Sequence, residues 1–109
     1  MRVLIRLSKE NWELKKYTNI SVATGRFKKI DATTIQPGRI AILKDYRKRG
    51  LGELVVKALE NLARQVHCTE PVIHGDFTAA PFYEKLGYRR DLKVYLEDGI
   101  QYVTLRKTF

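Results

Sequence analysis

The sequence is poor in the residues that mark a secreted or membrane-spanning protein. Its 109 residues include one cysteine, Cys68, so no internal disulfide can form and nothing indicates an oxidising compartment. No run approaches the roughly 18 apolar residues of a membrane span. Charges also interrupt residues 1–7 too early for a signal peptide. We therefore expect a cytoplasmic protein without a membrane partner.

Repeats, linkers and acidic residues are also scarce. No repeat or low-complexity segment divides the chain, so we expect residues 1–109 to form one domain. There are 21 Lys and Arg against 12 Asp and Glu, and the resulting net charge of +9 suggests a polyanionic ligand. The cations are dispersed, and only Arg47, Lys48 and Arg49 are followed closely by two glycines. We predict no metal site.

Hydrophobic periodicity and turn residues predict an α+β fold, with a mixed, mainly antiparallel sheet and helices packed on it. The Asp98-Gly99 dipeptide indicates a hairpin near the end of the chain. The predicted strands are 2–7, 11–17, 19–27, 36–43, 71–75, 88–96 and 100–107. The predicted helices are 51–67 and 78–86.

The stretch Arg47-Lys48-Arg49-Gly50-Leu51-Gly52 is the most informative part of the sequence. It opens the most amphipathic helix of the chain, whose first amides lack intrahelical acceptors and lie at the positive end of the helix dipole. An anion there gains several N–H bonds, and glycine lets it approach the backbone. The Walker pattern is absent, and position 55 is Val where the dinucleotide fingerprint needs a third glycine. We therefore predict a phosphate site of another kind.

This loop resembles the R/Q-x-x-G-x-G/A pyrophosphate loop of the GNAT acyltransferases, with Arg47, Gly50 and Gly52 at the matching positions. A second segment, 76–88, resembles the family's N-x-x-A-x-x-F/L-Y-x-x-x-G-F/Y pattern. A third, 96–103, is similar to the closing hairpin of one bacterial branch. Together the resemblance covers roughly residues 20–109.

Two features depart from the family's pattern. Asp76 stands where the family usually has Asn, so an amide donor is lost and a negative charge is gained near a polyanionic cofactor. Members of the family usually carry one or two helices between their first two strands, and only Ser8-Lys9-Glu10 separates the first two predicted strands here. Either that segment is reduced, or the sequence begins late. We expect Thr78 to cap the short helix at 78–86.

The resemblance implies an N-acetyltransferase that moves the acetyl group of acetyl-CoA to a primary amine by direct attack on the thioester. It implies that the strand around 40–43 diverges from its neighbour, so that the backbone of Ile42 and Leu43 binds the pantetheine arm. The family's pyrophosphate site would comprise side chains and backbone amides of one loop. These residues are Arg47, Lys48, Arg49, Gly50, Leu51, Gly52 and Glu53.

The resemblance also implies a role in catalysis for Tyr83, as the general acid that protonates the departing thiolate. The general base is open among His74, Asp76 and Glu97, which the predicted strand ends would bring near the sulfur. His74 is our candidate base, although a histidine on a strand is more often structural. Asp76 is also a candidate cofactor contact. Cys68 is expected to be a small buried apolar residue rather than a nucleophile.

The alternative function is a non-catalytic module that binds CoA or a nucleic acid through its basic surface. Tyr46 before Arg47, and Tyr88 before Arg89, interleave aromatic rings with cations as such surfaces do. No nucleic-acid motif supports this alternative. The acceptor stays open among a small amine, an antibiotic, an amino acid and the amino terminus of a peptide. Exposed edge strands would give such a domain a reason to pair with a second copy.

Overall fold

The computed structural model describes residues 2–11 and 16–109. Its order of elements confirms the predicted α+β fold, a mixed and mainly antiparallel sheet with helices packed on it. The strands are β1 (Arg2–Asn11), β2 (Lys16–Lys29), β3 (Thr34–Ile42), β4 (Glu70–Asp76), β5 (Arg89–Glu97) and β6 (Ile100–Arg106). The helices are α1 (Leu51–Gln65) and α2 (Ala80–Lys85), with 3₁₀ turns at Lys44–Tyr46 and Phe77–Ala79.

The sheet runs in the order β1-β2-β3-β4-β6-β5. Among the strands of the described residues, only the central pair, β3 with β4, is parallel, and the other neighbours pair antiparallel. The parallel pair is joined through α1, which forms a crossover between them. In the described ranges both α-helices follow β3, and none lies before it. This agrees with the expected shortfall of helices near the amino end.

The prediction of three strands at 2–7, 11–17 and 19–27 was wrong. The structure has one long hairpin, in which β1 and β2 pair from Arg2–Arg26 to Asn11–Lys16. The predicted strand at 11–17 is divided between the ends of these strands, and its residues 12–15 lie outside the described residues. The polar segment 8–10 did not interrupt β1, because backbone groups make the ladder bonds whatever the side chain.

The turns explain where the other elements end. His67 has a positive φ of 62°, so α1 ends at Gln65, two residues before the predicted end. Asp98 and Gly99 have φ values of 51° and 77°, as a tight hairpin turn between β5 and β6 requires. The Asp-Gly signal is therefore confirmed.

The core lies on one face of the sheet, in two clusters on either side of α1. The first contains Val22, Ala23, Phe27, Ile35, Leu51, Val55, Leu59, Ala63 and Cys68. The second contains Val56, Ile73, Ala80, Tyr88, Val103 and Leu105. Cys68 is fully buried, as expected of a small apolar residue. In the described part of the chain no helix packs on the opposite face, which we call the open face.

Candidate active site at the gap between β3 and β4

The centre of the sheet is open, because β3 and β4 pair over a short stretch. They are joined at Thr34–Glu70 and Ile35–Pro71, and no further pair of described residues connects them. Beyond Ile35 the two strands diverge, so backbone groups that a full ladder would use face a gap instead. The predicted divergence of the strand around 40–43 is therefore present.

On the β3 side of the gap, the structure distinguishes the two predicted backbone contacts. The Leu43 amide donates to the Val22 carbonyl at 2.8 Å, and the Leu43 carbonyl accepts from the Tyr46 amide at 2.9 Å. Both backbone groups of Leu43 therefore already have a partner within the chain. Hydrogen-bonding direction alternates along a strand, so the Ile42 backbone faces the gap. Its carbonyl accepts from Nε of Arg47 at 3.2 Å.

The β4 side of the gap follows from the same alternation. The Lys107 amide donates to the Pro71 carbonyl at 3.2 Å, which assigns the backbone groups of every second residue of β4 to β6. His74 and Asp76 lie between those positions, so their backbone groups face the gap. The two walls of the gap therefore offer the backbone of Ile42 on one side and of His74 and Asp76 on the other.

The predicted phosphate loop leads directly into α1. Gly50, at the N-cap, has a φ of 76°, and no side chain caps the helix. A Cβ added at Gly50 would have no heavy atom within 4 Å, so the space over the helix end is open. Lys48 also has a positive φ, 63°, which is uncommon for a residue with a Cβ. The α1 amides are therefore accessible to an anion.

The loop cations differ in where they lie. Arg47, Lys48 and Arg49 are all exposed. Arg47 bends back to the Ile42 carbonyl beside the gap, and the Arg49 guanidinium stacks 5.1 Å from the Tyr46 ring centroid. Glu53 pairs with Lys57 along α1 at 2.8 Å, which leaves its backbone amide as its means of binding an anion.

Gly52 has a packing role that sequence reasoning missed. A Cβ there would lie 3.3 Å from Cζ of Phe82 and 3.5 Å from Cδ1 of Ile42. The absence of a side chain at position 52 therefore lets the start of α1 pack closely on β3 and α2 without moving the Phe82 ring. Leu51 beside it is buried in the first core cluster.

Tyr83 lies on α2, on the helix-covered face next to the gap. Its ring packs over Gly75 of β4, where an added Cβ would lie 3.5 Å from Cε2 of Tyr83. The ring also meets Phe82 and Tyr88 edge-on, with centroids 5.0 and 6.0 Å apart. Burial raises the pKa of the Tyr83 phenol. The phenol is therefore neutral and holds its proton at neutral pH.

The segment between β4 and α2 is capped by Asp76, not by Thr78 as the sequence predicted. Oδ1 of Asp76 accepts from the amide and from the hydroxyl of Thr78, each at 2.8 Å. These bonds, the amide bond first, hold the pKa of the Asp76 carboxyl below its ordinary value of 3.8. The Asp76 carboxylate therefore accepts the same hydrogen bonds that an asparagine side-chain oxygen could accept, and it adds a negative charge.

His74 faces the other way from Tyr83. Its neighbours Ile73 and Gly75 are buried toward the helices, so the His74 side chain lies on the open face. There it stacks on Tyr102 with ring centroids 5.1 Å apart, and Tyr95 lies 5.7 Å away. Nε2 of His74 is 3.6 Å from Oε1 of Glu97. The candidate acid and the candidate base thus flank the gap from opposite faces.

Comparison with known proteins identifies this arrangement. Residues 20–109 match the sequence profile described as "Acetyltransferase (GNAT) domain". The chain belongs to the GNAT acetyltransferase family. The predicted resemblance is thereby confirmed, and the loop, the gap and α2 are parts of a GNAT domain.

Relatives and solved structures agree with this membership. The uncharacterized protein YyaT of Bacillus subtilis is 42% identical over 91 residues, which cover 84% of this chain and 61% of YyaT. An uncharacterized acetyltransferase of Streptococcus pyogenes is 39% identical over 87 residues, which cover 80% of this chain and 60% of that protein. The chain thus spans about three fifths of the length of the curated relatives it matches.

Two solved structures show the same fold. A candidate N-acetyltransferase from Lactobacillus plantarum superposes with a TM-score of 0.77 at 35% identity, over 81% of this chain and 60% of that one. A GNAT family acetyltransferase from Elizabethkingia anophelis, with acetyl-CoA bound, gives a TM-score of 0.72 at 15% identity. That match covers 99% of this chain and 98% of that chain.

Among the described residues of this GNAT domain, no helix is long and apolar enough to span a membrane.

Sequence reasoning also missed a buried polar network behind α2. The Tyr88 hydroxyl donates to Oε2 of Glu60 at 2.7 Å, and Nζ of Lys107 lies 3.2 Å from the same oxygen. Nζ of Lys107 also donates to the Leu86 carbonyl at 2.8 Å. Glu60 is 4% exposed, although it is charged. The signal available in the sequence was its position four residues after Val56 and three before Ala63, on the buried side of α1.

Proposed function

We propose that this GNAT domain transfers the acetyl group of acetyl-CoA to a primary amine. The observation that carries the proposal is the open gap, bordered by backbone groups that face it, with an uncapped helix end at one side and the half-buried phenol of Tyr83 beside it. Family membership supports acyl transfer from a CoA thioester. The Elizabethkingia anophelis structure, which matches this chain over nearly the whole length of both chains, has acetyl-CoA bound. This supports the fit of such a cofactor to this fold.

The residues present fit this cofactor. The free α1 amides from Gly50 to Glu53, with the side chains of Arg47, Lys48 and Arg49, would hold its pyrophosphate. The Ile42 backbone would hydrogen-bond the amide groups of its pantetheine arm. Oδ1 of Asp76 is already used by Thr78. Asp76 would therefore contribute its backbone to the cofactor site.

The bound thioester would supply an activated acetyl group that a neutral amine can attack. The Ile42 amide, aimed into the gap, is placed to polarise a carbonyl there. Tyr83 holds a proton for the leaving sulfur. The raised pKa of Tyr83 does not by itself prevent proton transfer to the sulfur. Burial in the same place would also raise the pKa of the thiol that forms there. His74 would take the proton that an ammonium must lose before attack, and Oε1 of Glu97 lies 3.6 Å from its Nε2.

The proposal is tested by measuring binding and transfer separately in the full chain. Calorimetry should show acetyl-CoA binding, and thiol release should rise when a mixture of primary amines is added. Arg49→Ala should weaken binding more than Lys28→Ala, since Lys28 is exposed at the far end of the β2–β3 ladder. Binding without amine-dependent thiol release would contradict transfer and leave a CoA-binding module.

A salt titration of oligonucleotide binding tests the alternative. The proposal expects weak oligonucleotide binding and equal affinity for oligonucleotides of different sequence, with no thermal stabilisation comparable to that from acetyl-CoA. A steep loss of strong oligonucleotide affinity with salt, together with no stabilisation by acetyl-CoA, would favour the nucleic-acid function.

A further inference from the structure

The open face carries a cluster of aromatic and acidic side chains that the cofactor does not explain. It consists of His74, Tyr95, Glu97 and Tyr102, and we call it the open-face cluster. Pairing places these residues together, since Tyr102 lies opposite Asp76 on one side and Tyr95 on the other. Val103 and Leu105 on the same strand point into the core. Tyr102 therefore points to the open face.

The cluster reaches the gap through His74. Its strand forms one wall of the gap, its ring stacks almost parallel on Tyr102, at 11°, and its Nε2 approaches Glu97. On the helix-covered face α2 packs against both α1 and β4, since a Cβ added at Gly52 would lie 3.3 Å from Phe82 and one added at Gly75 would lie 3.5 Å from Tyr83. An acceptor that meets the cofactor in the gap must therefore arrive across the open face, past this cluster.

Charge makes the cluster different from the rest of the molecule. The chain has a net charge of +9, so a primary amine, which is a cation in neutral water, is repelled by most of the surface. Glu97 is more than half exposed in the cluster, and Asp76 borders the gap nearby. The cationic loop from Arg47 to Arg49 belongs to the cofactor side. The cluster thus offers an exposed carboxylate on the acceptor side, although the ammonium of Lys93 also lies there, against Tyr95.

The rings add a second means of holding a cation. The face of a tyrosine attracts an ammonium, and the adjacent apolar ring surface accepts an alkyl chain. The chain supplies its own example, because Nζ of Lys93 lies 5.2 Å from the Tyr95 ring centroid. That position shows that an alkylammonium fits on Tyr95. It also means that Lys93 competes with an incoming ammonium for the same ring.

We infer that Tyr95, Tyr102 and Glu97 bind the acceptor as a primary alkylammonium that carries no carboxylate or phosphate on the same short chain. This inference rests on the proposed function and names the substrate class of that site. An anionic group on the acceptor would lie close to Glu97 and be repelled. Among the acceptor classes left open by the sequence, alkylamines are favoured over amino acids.

The test uses the full chain and two probes of similar length, 1,4-diaminobutane and 4-aminobutanoate. Each is titrated with CoA present, so that no acetyl transfer occurs, and binding is followed by calorimetry and by the His74 ring resonances. We expect 1,4-diaminobutane to bind at least about tenfold more tightly than 4-aminobutanoate. Equal affinity for the two probes would overturn the inference.

Three variants sharpen this test. Glu97→Gln should weaken diamine binding about three- to tenfold, and Lys93→Met should strengthen it, because it removes the competing ammonium. Glu70→Gln is the matched control, since Glu70 is exposed on the same face of β4 at its other end. Equal losses from Glu97→Gln and Glu70→Gln, or a loss from Lys93→Met, would contradict a specific site.

Kinetics separate this inference from the proposed function. With 1,4-diaminobutane as acceptor, Glu97→Gln should raise the KM for the amine and leave the KM for acetyl-CoA unchanged. If acetyl transfer occurs but Glu97→Gln, Tyr95→Leu and Tyr102→Leu all keep the parent's amine KM, the inference is wrong and the proposed function stands. If no amine is acetylated, the proposed function fails, and the binding titration still decides whether the cluster selects an alkylammonium.

Discussion

The two halves of the sheet on either side of the gap are built differently. The amino-terminal half, β1 to β3, packs an apolar cluster against α1, and its contribution to the candidate site is backbone and loop cations. The carboxyl-terminal half, β4 to β6, includes the Glu60–Tyr88–Lys107 network and supplies the side chains with proton chemistry, Tyr83 and His74. In our proposal most cofactor contacts thus lie in the first half and the proton chemistry in the second, and the two halves meet at Thr34 and Ile35.

Helix α1 explains how the halves stay in register while the gap is open. Val55 and Leu59 pack in the amino-terminal cluster, and Val56 packs in the other. Glu60, one turn after Val56, reaches Tyr88 and Lys107 beyond α2. Because one rigid helix contacts both halves, backbone bonds are not needed across the gap. The gap can therefore remain available for a ligand.

The largest expected effect is a loss of turnover when the carboxyl-terminal half loses the phenol proton of Tyr83. Tyr83→Phe keeps the ring and its contacts but removes the proton, so we expect turnover to fall by about 10² to 10⁴. Acetyl-CoA affinity and melting temperature should change little, because the phenylalanine ring keeps the packing of Tyr83 and the hydroxyl is not among the proposed cofactor contacts. Steady-state kinetics and calorimetry measure the two effects. Parent-like turnover would show that water or another group protonates the thiolate.

The next largest effect is on the free energy of unfolding, and it tests whether the Glu60–Tyr88–Lys107 network stabilises the carboxyl-terminal half. Lys107→Met should lower the free energy of unfolding by about 2 to 3 kcal/mol, because Glu60 is left as a buried charge without its cation. Lys57→Met, which removes an exposed partner of Glu53, should leave it almost unchanged. Urea unfolding measures both.

A second substitution decides whether the lost pairing is the cause. Adding Glu60→Gln to Lys107→Met removes the unpaired charge while a side-chain oxygen can still accept from Tyr88. The double variant should regain most of the lost stability. If it stays as unstable as Lys107→Met, the packing of the Lys107 chain and not its charge supports the half.

A smaller effect tests the binding half. Gly50→Val should weaken acetyl-CoA binding about tenfold, or about 1.4 kcal/mol, because a side chain would occupy the space over the α1 amides. Gly99→Val is its control, since Gly50 and Gly99 have φ values of 76° and 77° and neither would place a Cβ within 4 Å of another atom. The backbone strain is therefore matched. Equal affinity losses in calorimetry would assign the effect to strain.

The smallest effect concerns the join between β4 and α2. The pKa of the Asp76 carboxyl is lowered by Thr78, so its contribution to stability is present above the ordinary value of 3.8 and is lost as the pH falls through the lowered value. Asp76→Asn keeps an accepting oxygen without a charge to titrate. The melting temperature of the parent should fall more than that of the variant between about pH 6 and pH 3. Parallel pH profiles would contradict this role for Asp76.

Much of the architecture could be predicted because it depends on neighbouring residues. The apolar period of α1, the Asp-Gly hairpin and the glycines before the helix all act locally, and the structure has each of them. The misreading of β1 and β2 has a different origin. Strand pairing is made by backbone groups of distant residues, so polar side chains at 8–10 gave no information about whether the ladder continued.

The sequence by itself determined the family and marked a candidate phosphate loop at the start of a helix, with candidate roles for Tyr83 and His74. Only the tertiary structure decided which backbone faces the gap, because both Leu43 groups bond to Val22 and Tyr46 while the Ile42 amide points into the gap. It also decided that Tyr83 and His74 lie on opposite faces, and that Glu60 joins Tyr88 and Lys107. These facts depend on which strands are neighbours and where they diverge, and residues distant in the chain set both.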